Sequence, residues 1–481
     1  MQATNDSNVM RLFILWLLIP LAAASKILIL PNQESSHIRA MATTGRALAK
    51  RGHQVTVAVL YCQKQGPAVI GKMEQLLWGD PNEKTYFSNK PETSKLMLKH
   101  YRESQAIETI LYTVFEWPRS VCDYLMKDKK LYNTVKALKF DLVIVDGLPI
   151  TRCNYFFVHN LGLPYISQTA IYPIDISFLS QYFNNPFTTN SQLSSPENYL
   201  HNDLAAESQL WLIEQHPVLD FPRATYGNIK YIGGMNYKKS QPLTGKYAEL
   251  ADGATGGFIV VSLGADLLFL PKDLGDKMVA AFKKLPNYTF IWATKGELTE
   301  MPGNVFRTDW IPQNDLIGHK NCKLLITHCG NNGQFEAVGN GVPMLGIPIH
   351  RDQPPNAWRM KDKGFGLTVH LLTGTVDEIA DKIKEVIMNP EYKNNVIKAS
   401  KIFHDGAMTP TETAVYWVEH VLKHGTEYLK SDAMDMSWYQ VLGYDIVAFL
   451  VLLVMIFIAV VKFTCSLIRN KMKGNKKTKN D

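Results

Sequence analysis

The 481-residue chain is 46% hydrophobic and 20% charged, the balance of an ordinary globular protein, which excludes disordered or collagen-like classes and leaves room for two or three domains. Of its formal net charge of +7, +6 lies beyond Val461, where Lys462, Arg469, Lys471, Lys473, Lys476, Lys477 and Lys479 meet one acid, Asp481. The remainder is almost neutral, which argues against a nucleic-acid partner.

Arg11 precedes the apolar run Leu12–Ser25, whose small residues Ala22, Ala23, Ala24 and Ser25 suit signal-peptidase cleavage, so residues 1–25 read as a signal peptide. The mature chain opens with "KILIL", a loop from Pro31 to Ser36, an amphipathic "HIRAMATTGRALAKRG" and "QVTVAVL", a strand–helix–strand start to a parallel sheet. Leu96–Leu138 has a mixed helical pattern broken at "WPR" (Trp117–Arg119), and the strands "DLVIVD" and "PYISQTA" follow. Phe178–His201 is rich in Asn, Ser, Thr, Pro and aromatics and reads as loop or substrate-lining surface. The composition of residues 238–257, "KKSQPLTGKYAELADGATGG", is that of an interdomain linker. Beyond it the alternation restarts with "FIVVSLG", "GDKMVAAFKKLP", "YTFIWAT", "CKLLITH", a helix beginning near Gly333, "PMLGIPI" and "NAWRMKDKG". Two α/β halves, 26–237 and 258–440, are therefore expected to face each other across a cleft.

The uncharged run Ile446–Val461, with Trp438, Tyr439 and Tyr444 before it, predicts a transmembrane helix over 441–463, and residues 464–481 read as a basic cytosolic tail under the positive-inside rule. Lys477 and Lys479 resemble a dilysine retrieval signal, which points to the endoplasmic reticulum membrane, a single pass and a lumenal body. There the sequon Asn287-Tyr288-Thr289 is open to glycosylation. Cys62, Cys122, Cys153, Cys322 and Cys329 are lumenal too, but their odd number and scattered spacing name no pairing. A zinc site at Cys322, His328 and Cys329 lacks a second ligand pair, so no metal is expected.

The polar detail concentrates in Ile326–Ala357, "ITHCGNNGQFEAVGNGVPMLGIPIHRDQPPNA". Here a buried strand ends at His328, and a turn containing Gly330, Asn332 and Gly333 leads into a helix, an arrangement that presents backbone N–H groups to a pyrophosphate. Glu336, expected in the first helical turn, can accept from ribose hydroxyls, and Asp352 with Gln353 follows another strand where a polyhydroxylated group would sit. His37 in the first strand–helix loop and Asp146 at the end of "DLVIVD" occupy carboxyl edges of the first sheet, where a neutral imidazole can take a proton while a carboxylate fixes its tautomer.

The window Asp309–Ala357, "DWIPQNDLIGH…LLITHCGNNGQFEAVGNGVPMLGIPIHRDQPPNA", resembles the signature of the UDP-glycosyltransferases, the family that includes the animal UDP-glucuronosyltransferases. The likeness runs through "SHIRAM…KRGHQVTV", "FDLVIVD", "VVSLG" and the terminal "SWYQ" before the anchor. It implies a GT-B fold: two Rossmann-like domains, the first binding the acceptor and the second the UDP-sugar. It also implies that Trp310 stacks on uracil with Gln313 beside the nucleoside, and that Glu336 binds the ribose. Ser262, Gly264, His328, Gly330, Asn332 and Gly333 would hold the diphosphate, Asp352 and Gln353 the transferred sugar, and His37 and Asp146 would be the catalytic pair. The partners implied are a UDP-sugar co-substrate, with no cofactor, a small lipophilic acceptor and a homo-oligomer in the membrane. The expected reaction is inverting hexosyl transfer.

Ala265 stands where a Ser is common, His350-Arg351 where an aromatic and a small residue are usual, and Pro355 replaces an acid. Arg351 would pair with a glucuronate carboxylate, which favours UDP-glucuronate over UDP-glucose. The aromatic-rich Phe156–Phe187 region is a candidate acceptor lining. Transfer to a membrane lipid such as ceramide, or UDP-sugar binding without catalysis, are the alternatives.

Overall fold

The structure, a computed structural model, describes residues 24–33, 35–80, 117–147, 152–169, 204–205, 207–222, 225–264, 267–349, 352–429 and 436–477. The hydrophobic leader up to residue 23, Phe178–His201, Ala265, His350 and Arg351 lie outside them. Two units result, 1–426 and 427–481.

Within the larger unit the first sheet comprises β1 (Lys26–Leu30), β2 (Gln54–Leu60), β3 (Glu74–Trp78), β4 (Leu142–Asp146), β5 (Tyr165–Thr169), β6 (Trp211–Ile213) and β7 (Ile229–Tyr231). The order is β3-β2-β1-β4-β5-β6-β7 and every pairing is parallel. Helix α1 (Ser35–Lys50) crosses from β1 to β2. After position 80 the described chain resumes with α2 (Trp117–Lys127), which has "WPR" as its first described residues; the helical pattern expected before it lies outside the described residues. The disulfide Cys122–Cys153 ties α2 to α3 (Arg152–Asn160), a pairing that spacing alone did not name.

The expected linker is not featureless. Its residues 246–253 form α4 (Lys246–Gly253), in which Ala251 is buried and Tyr247 and Leu250 pack on the second core. Their i, i+3, i+4 spacing makes an apolar stripe out of a polar-looking segment.

The second sheet contains β8 (Phe258–Ser262), β9 (Thr289–Ala293), β10 (Val305–Thr308), β11 (Cys322–Thr327), β12 (Met344–Gly346) and β13 (Gly366–Thr368), parallel in the order β10-β9-β8-β11-β12-β13. Both of its faces are buried, as side-chain alternation along a covered parallel strand requires. Ile259, Val261, Leu324 and Ile326 join one core with Met278 and Phe282 of α5 (Lys272–Lys283). Phe258, Val260 and Leu325 join the other with Phe335 of α6 (Asn331–Gly339) and Met360 of α7 (Gln353–Asp362). Phe403 of α8 (Pro390–His404) closes that second core.

After α8 the chain returns to the first sheet. Helix α9 (Pro410–His424), entered through a capping box of Thr409 and Glu412, packs on α1, and Glu419 accepts from Arg51 Nε at 3.0 Å and Nη2 at 2.8 Å. His53 also reaches Glu419 at 3.4 Å through Nε2, while its Nδ1 accepts from the Ser25 N–H at 3.2 Å.

In the smaller unit, α10 (Tyr444–Lys477) contains the candidate span Tyr444–Asn470, in which the most apolar 18-residue window has mean hydropathy 3.1. Its 27 residues rise about 40 Å, more than a hydrocarbon core of about 30 Å requires. The basic segment after residue 463 continues this helix to Lys477, because Lys, Arg and Met are good helix formers and no Pro intervenes.

Candidate active site

Strand order reverses between β1 and β4 in one sheet and between β8 and β11 in the other, and such switch points open crevices at carboxyl edges. The first crevice holds His37, in the opening turn of α1, and Asp146, the last residue of β4. His37 Nδ1 lies 2.8 Å from Asp146 Oδ2, and the side chains are 18% and 1% exposed. The same carboxylate oxygen accepts from the Asn32 N–H at 3.2 Å, so the loop after β1 and the end of β4 share one anchor. With Nδ1 turned to the carboxylate, Nε2 is the ring nitrogen directed away from it.

Near this pair is a carboxyl that sequence reasoning missed. Glu214 follows β6, is buried, and accepts from Gln168 Nε2 at 2.9 Å, while Thr44 Oγ1 donates to Gln168 Oε1 at 2.8 Å. Burial raises its pKa, against the opposing effect of the Gln168 hydrogen bond. No local motif marks it, since each of its side-chain neighbours comes from another element.

The second crevice gathers most of the residues expected to bind a nucleotide. His328 follows β11, and its imidazole lies against two glycines: an ideal Cβ on Gly264 would be 2.7 Å, and one on Gly330 2.6 Å, from Nε2. Gly264 also has φ +79°, which excludes most side chains by backbone alone. Ser262 ends β8 opposite Thr327 of β11. Gly330 is the extended N-cap residue of α6 and supplies no side-chain cap. The early N–H groups of α6 thus present the positive end of the helix dipole.

Helix α6 begins at Asn331, earlier than expected, so Glu336 lies in its second turn rather than its first. The extended Gly330 permits an abrupt entry, and Asn331, Asn332 and Gly333 are already helical despite weak propensity. This deeper placement brings the Glu336 carboxyl to Gln313, whose Nε2 donates to Oε2 at 2.6 Å. Desolvation lifts the Glu336 carboxyl to about 7; the Gln313 bond opposes that rise and Asp315 adds to it. Trp310, beyond β10, is 69% exposed, a flat ring held through its backbone carbonyl by Tyr247 Oη at 2.7 Å.

Asp352 Oδ2 accepts from Asn356 Nδ2 at 2.8 Å. Gln353 is buried, and its Oε1 accepts from the Ile349 N–H at 2.9 Å. Arg351 and Ala265 fall outside the described residues, as do 170–187; of the remaining aromatic candidates, Phe157 and Tyr165 are in the core and Phe156 packs on it. Cys329 is buried with φ 68°, and desolvation pushes its thiol up to about 12.

Side chains at the start of α6 also reach the first-sheet half. Asn331 Nδ2 donates to the Glu214 carbonyl at 2.9 Å, Arg359 Nη2 donates to Asn331 Oδ1 at 2.6 Å, and Arg359 Nη1 pairs with Asp220.

The family described as "UDP-glucoronosyl and UDP-glucosyl transferase" matches residues 25–169 and 166–479. UDP-glucuronosyltransferase 1A5 of Homo sapiens is 29% identical, covering 93% of this chain and 91% of its own. UDP-glucuronosyltransferase 2C1 of Oryctolagus cuniculus is 30% identical over 72% of this chain and 78% of its own. Among solved structures, a UDP-glucosyltransferase from Polygonum tinctorium aligns with a TM-score of 0.62 at 14% identity, covering 83% of this chain and 99% of that one. The spinosyn forosaminyltransferase SpnP aligns at 0.60 with 17% identity, over 83% and 100%. The paired parallel sheets and these likenesses define a GT-B fold.

Proposed function

The chain belongs to the UDP-glucuronosyl and UDP-glucosyl transferase family, and on that premise we propose that it transfers a glucuronosyl group, in preference to a glucosyl group, from its UDP donor to a hydroxyl of a small lipophilic acceptor, with inversion. The observation that carries the catalytic part is the 2.8 Å contact between His37 Nδ1 and an Asp146 side chain only 1% exposed. Asp146 holds the proton on Nδ1 and leaves Nε2 as the base. As the acceptor oxygen attacks the anomeric carbon, its proton passes to Nε2, and the buried carboxylate stabilises the resulting imidazolium. The bond from the anomeric carbon to the diphosphate oxygen breaks on the opposite face, and its electron pair leaves with UDP. Charge developing on that oxygen is offset by the N-terminus of α6 and by His328.

Trp310 stacks on uracil, Gln313 and Glu336 hold the nucleoside, and Asp352 with Gln353 orient the sugar. No cofactor beyond the UDP-sugar enters these steps. The glucuronate preference is supported by the names of the relatives and by the charge of Arg351. An anchored position in the endoplasmic reticulum membrane, with the folded body in the lumen, is supported by α10 and the basic residues that follow its apolar stretch.

The test is UDP release by membranes expressing the full chain, supplied with UDP-glucuronate or UDP-glucose and pooled phenols and steroids. Acceptor-dependent release that falls by about a hundredfold or more in His37→Ala is expected. Release untouched by the substitution refutes the base assignment, and a faster rate with UDP-glucose refutes the donor preference.

A further inference from the structure

Two hydrogen bonds join the helix that carries His37 to the turn that faces the diphosphate. Thr43 lies on α1, six residues after His37 and about 9 Å further along the axis. Its Oγ1 is 2.8 Å from Asn236 Oδ1, and Asn236 Nδ2 is 3.1 Å from Asn332 Oδ1. Asn236 belongs to the segment between β7 and α4, so it stands between the two halves. Thr43 has a single hydroxyl proton and a second acceptor, the Arg39 carbonyl at 3.1 Å; Arg46 Nη2 donates to the hydroxyl oxygen at 2.9 Å and limits how it turns.

We propose that Asn236 is a positioning residue: by accepting from Thr43 and donating to Asn332 it sets the register between the His37 helix and the diphosphate turn, and so the aim of the base at the anomeric carbon. The inference rests on the function proposed above. Its location distinguishes it from glue between halves, because both ends of the relay lie within two helical turns of groups assigned to the reaction. The Arg51–Glu419 pair, which is glue, lies at the opposite end of α1. The bond from Asn331 to the Glu214 carbonyl ties the same turn of α6 to the first-sheet half by a separate route, so loss of Asn236 loosens the register without parting the halves.

The relay touches no group assigned to uracil or ribose, and of the six residues assigned to the diphosphate it touches Asn332 alone, so its loss should appear chiefly in turnover and only slightly in nucleotide affinity. Full-length chain in membranes is assayed for acceptor-dependent UDP release, and detergent-solubilised chain is titrated calorimetrically with UDP. The variants are Asn236→Ala, Asn236→Asp, Thr43→Val and the double variant Thr43→Val/Asn236→Ala. Asn236→Ala and Thr43→Val are each expected to lose about tenfold in kcat, the scale of a sub-ångström misalignment, with the Kd for UDP within about twofold of wild type. The double variant is expected to be no slower than the slower single variant, because a relay is broken once. Asn236→Asp can accept from Thr43 and, with the Asn332 amide turned over, from Asn332 Nδ2, so its loss should not exceed that of Asn236→Ala.

Multiplying losses in the double variant, an unchanged kcat in Asn236→Ala, or a loss confined to the UDP Kd would each overturn the relay. His37→Ala runs alongside: if it abolishes release while the relay variants behave independently, only this inference fails. If release persists in His37→Ala, the proposed function fails and takes the inference with it.

Discussion

Glu336 offers a test of the proposed nucleotide site that needs no acceptor. Without a ligand its carboxyl titrates at about 7, so near neutrality it is about half protonated. Ribose hydroxyls bind a carboxylate as donors, so binding favours the ionised form and must release protons from the rest. The apparent Kd then scales with one plus the ratio of proton concentration to the acid constant. Between about pH 8 and about pH 6 that factor rises about tenfold, or about 1.4 kcal/mol of binding free energy. The direction is definite: a carboxyl raised in the empty site and lowered by its ligand weakens binding as pH falls through its empty-site pKa.

Calorimetric titration of the solubilised chain with UDP-glucose across this range measures the slope, and UDP-glucose contributes no titrating group of its own there. Repeating it near neutrality in buffers of different ionisation enthalpy should report about half a proton released per ligand bound. Glu336→Gln should bind about tenfold more weakly at the alkaline end, where a charge-assisted bond is replaced by a neutral one, and should lose the proton release. A flat wild-type profile, or the same slope retained in Glu336→Gln, would refute this account of the ribose contact.

Three further outcomes follow from the packing. Gly330→Ala places a methyl group 2.6 Å from His328 Nε2 and must displace the ring, so the donor KM should rise by about tenfold; an unchanged KM removes His328 from the diphosphate site. Breaking Cys122–Cys153, which spans 31 residues, should lower stability by about 3 to 4 kcal/mol in urea unfolding, and an unmoved midpoint would count against it. Arg359→Ala strands a buried Asp220 carboxylate and should cost about 3 to 5 kcal/mol, whereas Arg359→Met with Asp220→Asn should be less damaging than that single change.

The sequence was most readable where the physics is local. Continuous apolar runs such as "KILIL" and "QVTVAVL" are what strands covered on both faces require, and β1 and β2 coincide with them. The short strands β6, β7 and β13 escaped notice because three residues are too few for a period of two to show. His37 and Asp146 could be brought together from the sequence, since each ends a connection at a carboxyl edge. Thr43 and Asn236 could not: they are 193 positions apart, and a lone amide leaves no periodic trace. The start of α6 was misjudged because its first three residues are poor helix formers, which kept the depth of Glu336, and with it the raised pKa, out of view until packing was known.

The return of α9 to α1 has a consequence for how the protein is made. Arg51 leaves the ribosome 368 residues before Glu419, its partner on the helix that covers α1. At translation speeds of about 5 to 20 residues per second, that separation corresponds to about 20 to 70 s of synthesis. Throughout that interval the first half lacks its last helix, and the apolar surface that α9 will cover is open to chaperones or to other nascent chains. The first half expressed alone would carry the same unfinished face permanently, so exchange of that half between related chains requires a matching final helix.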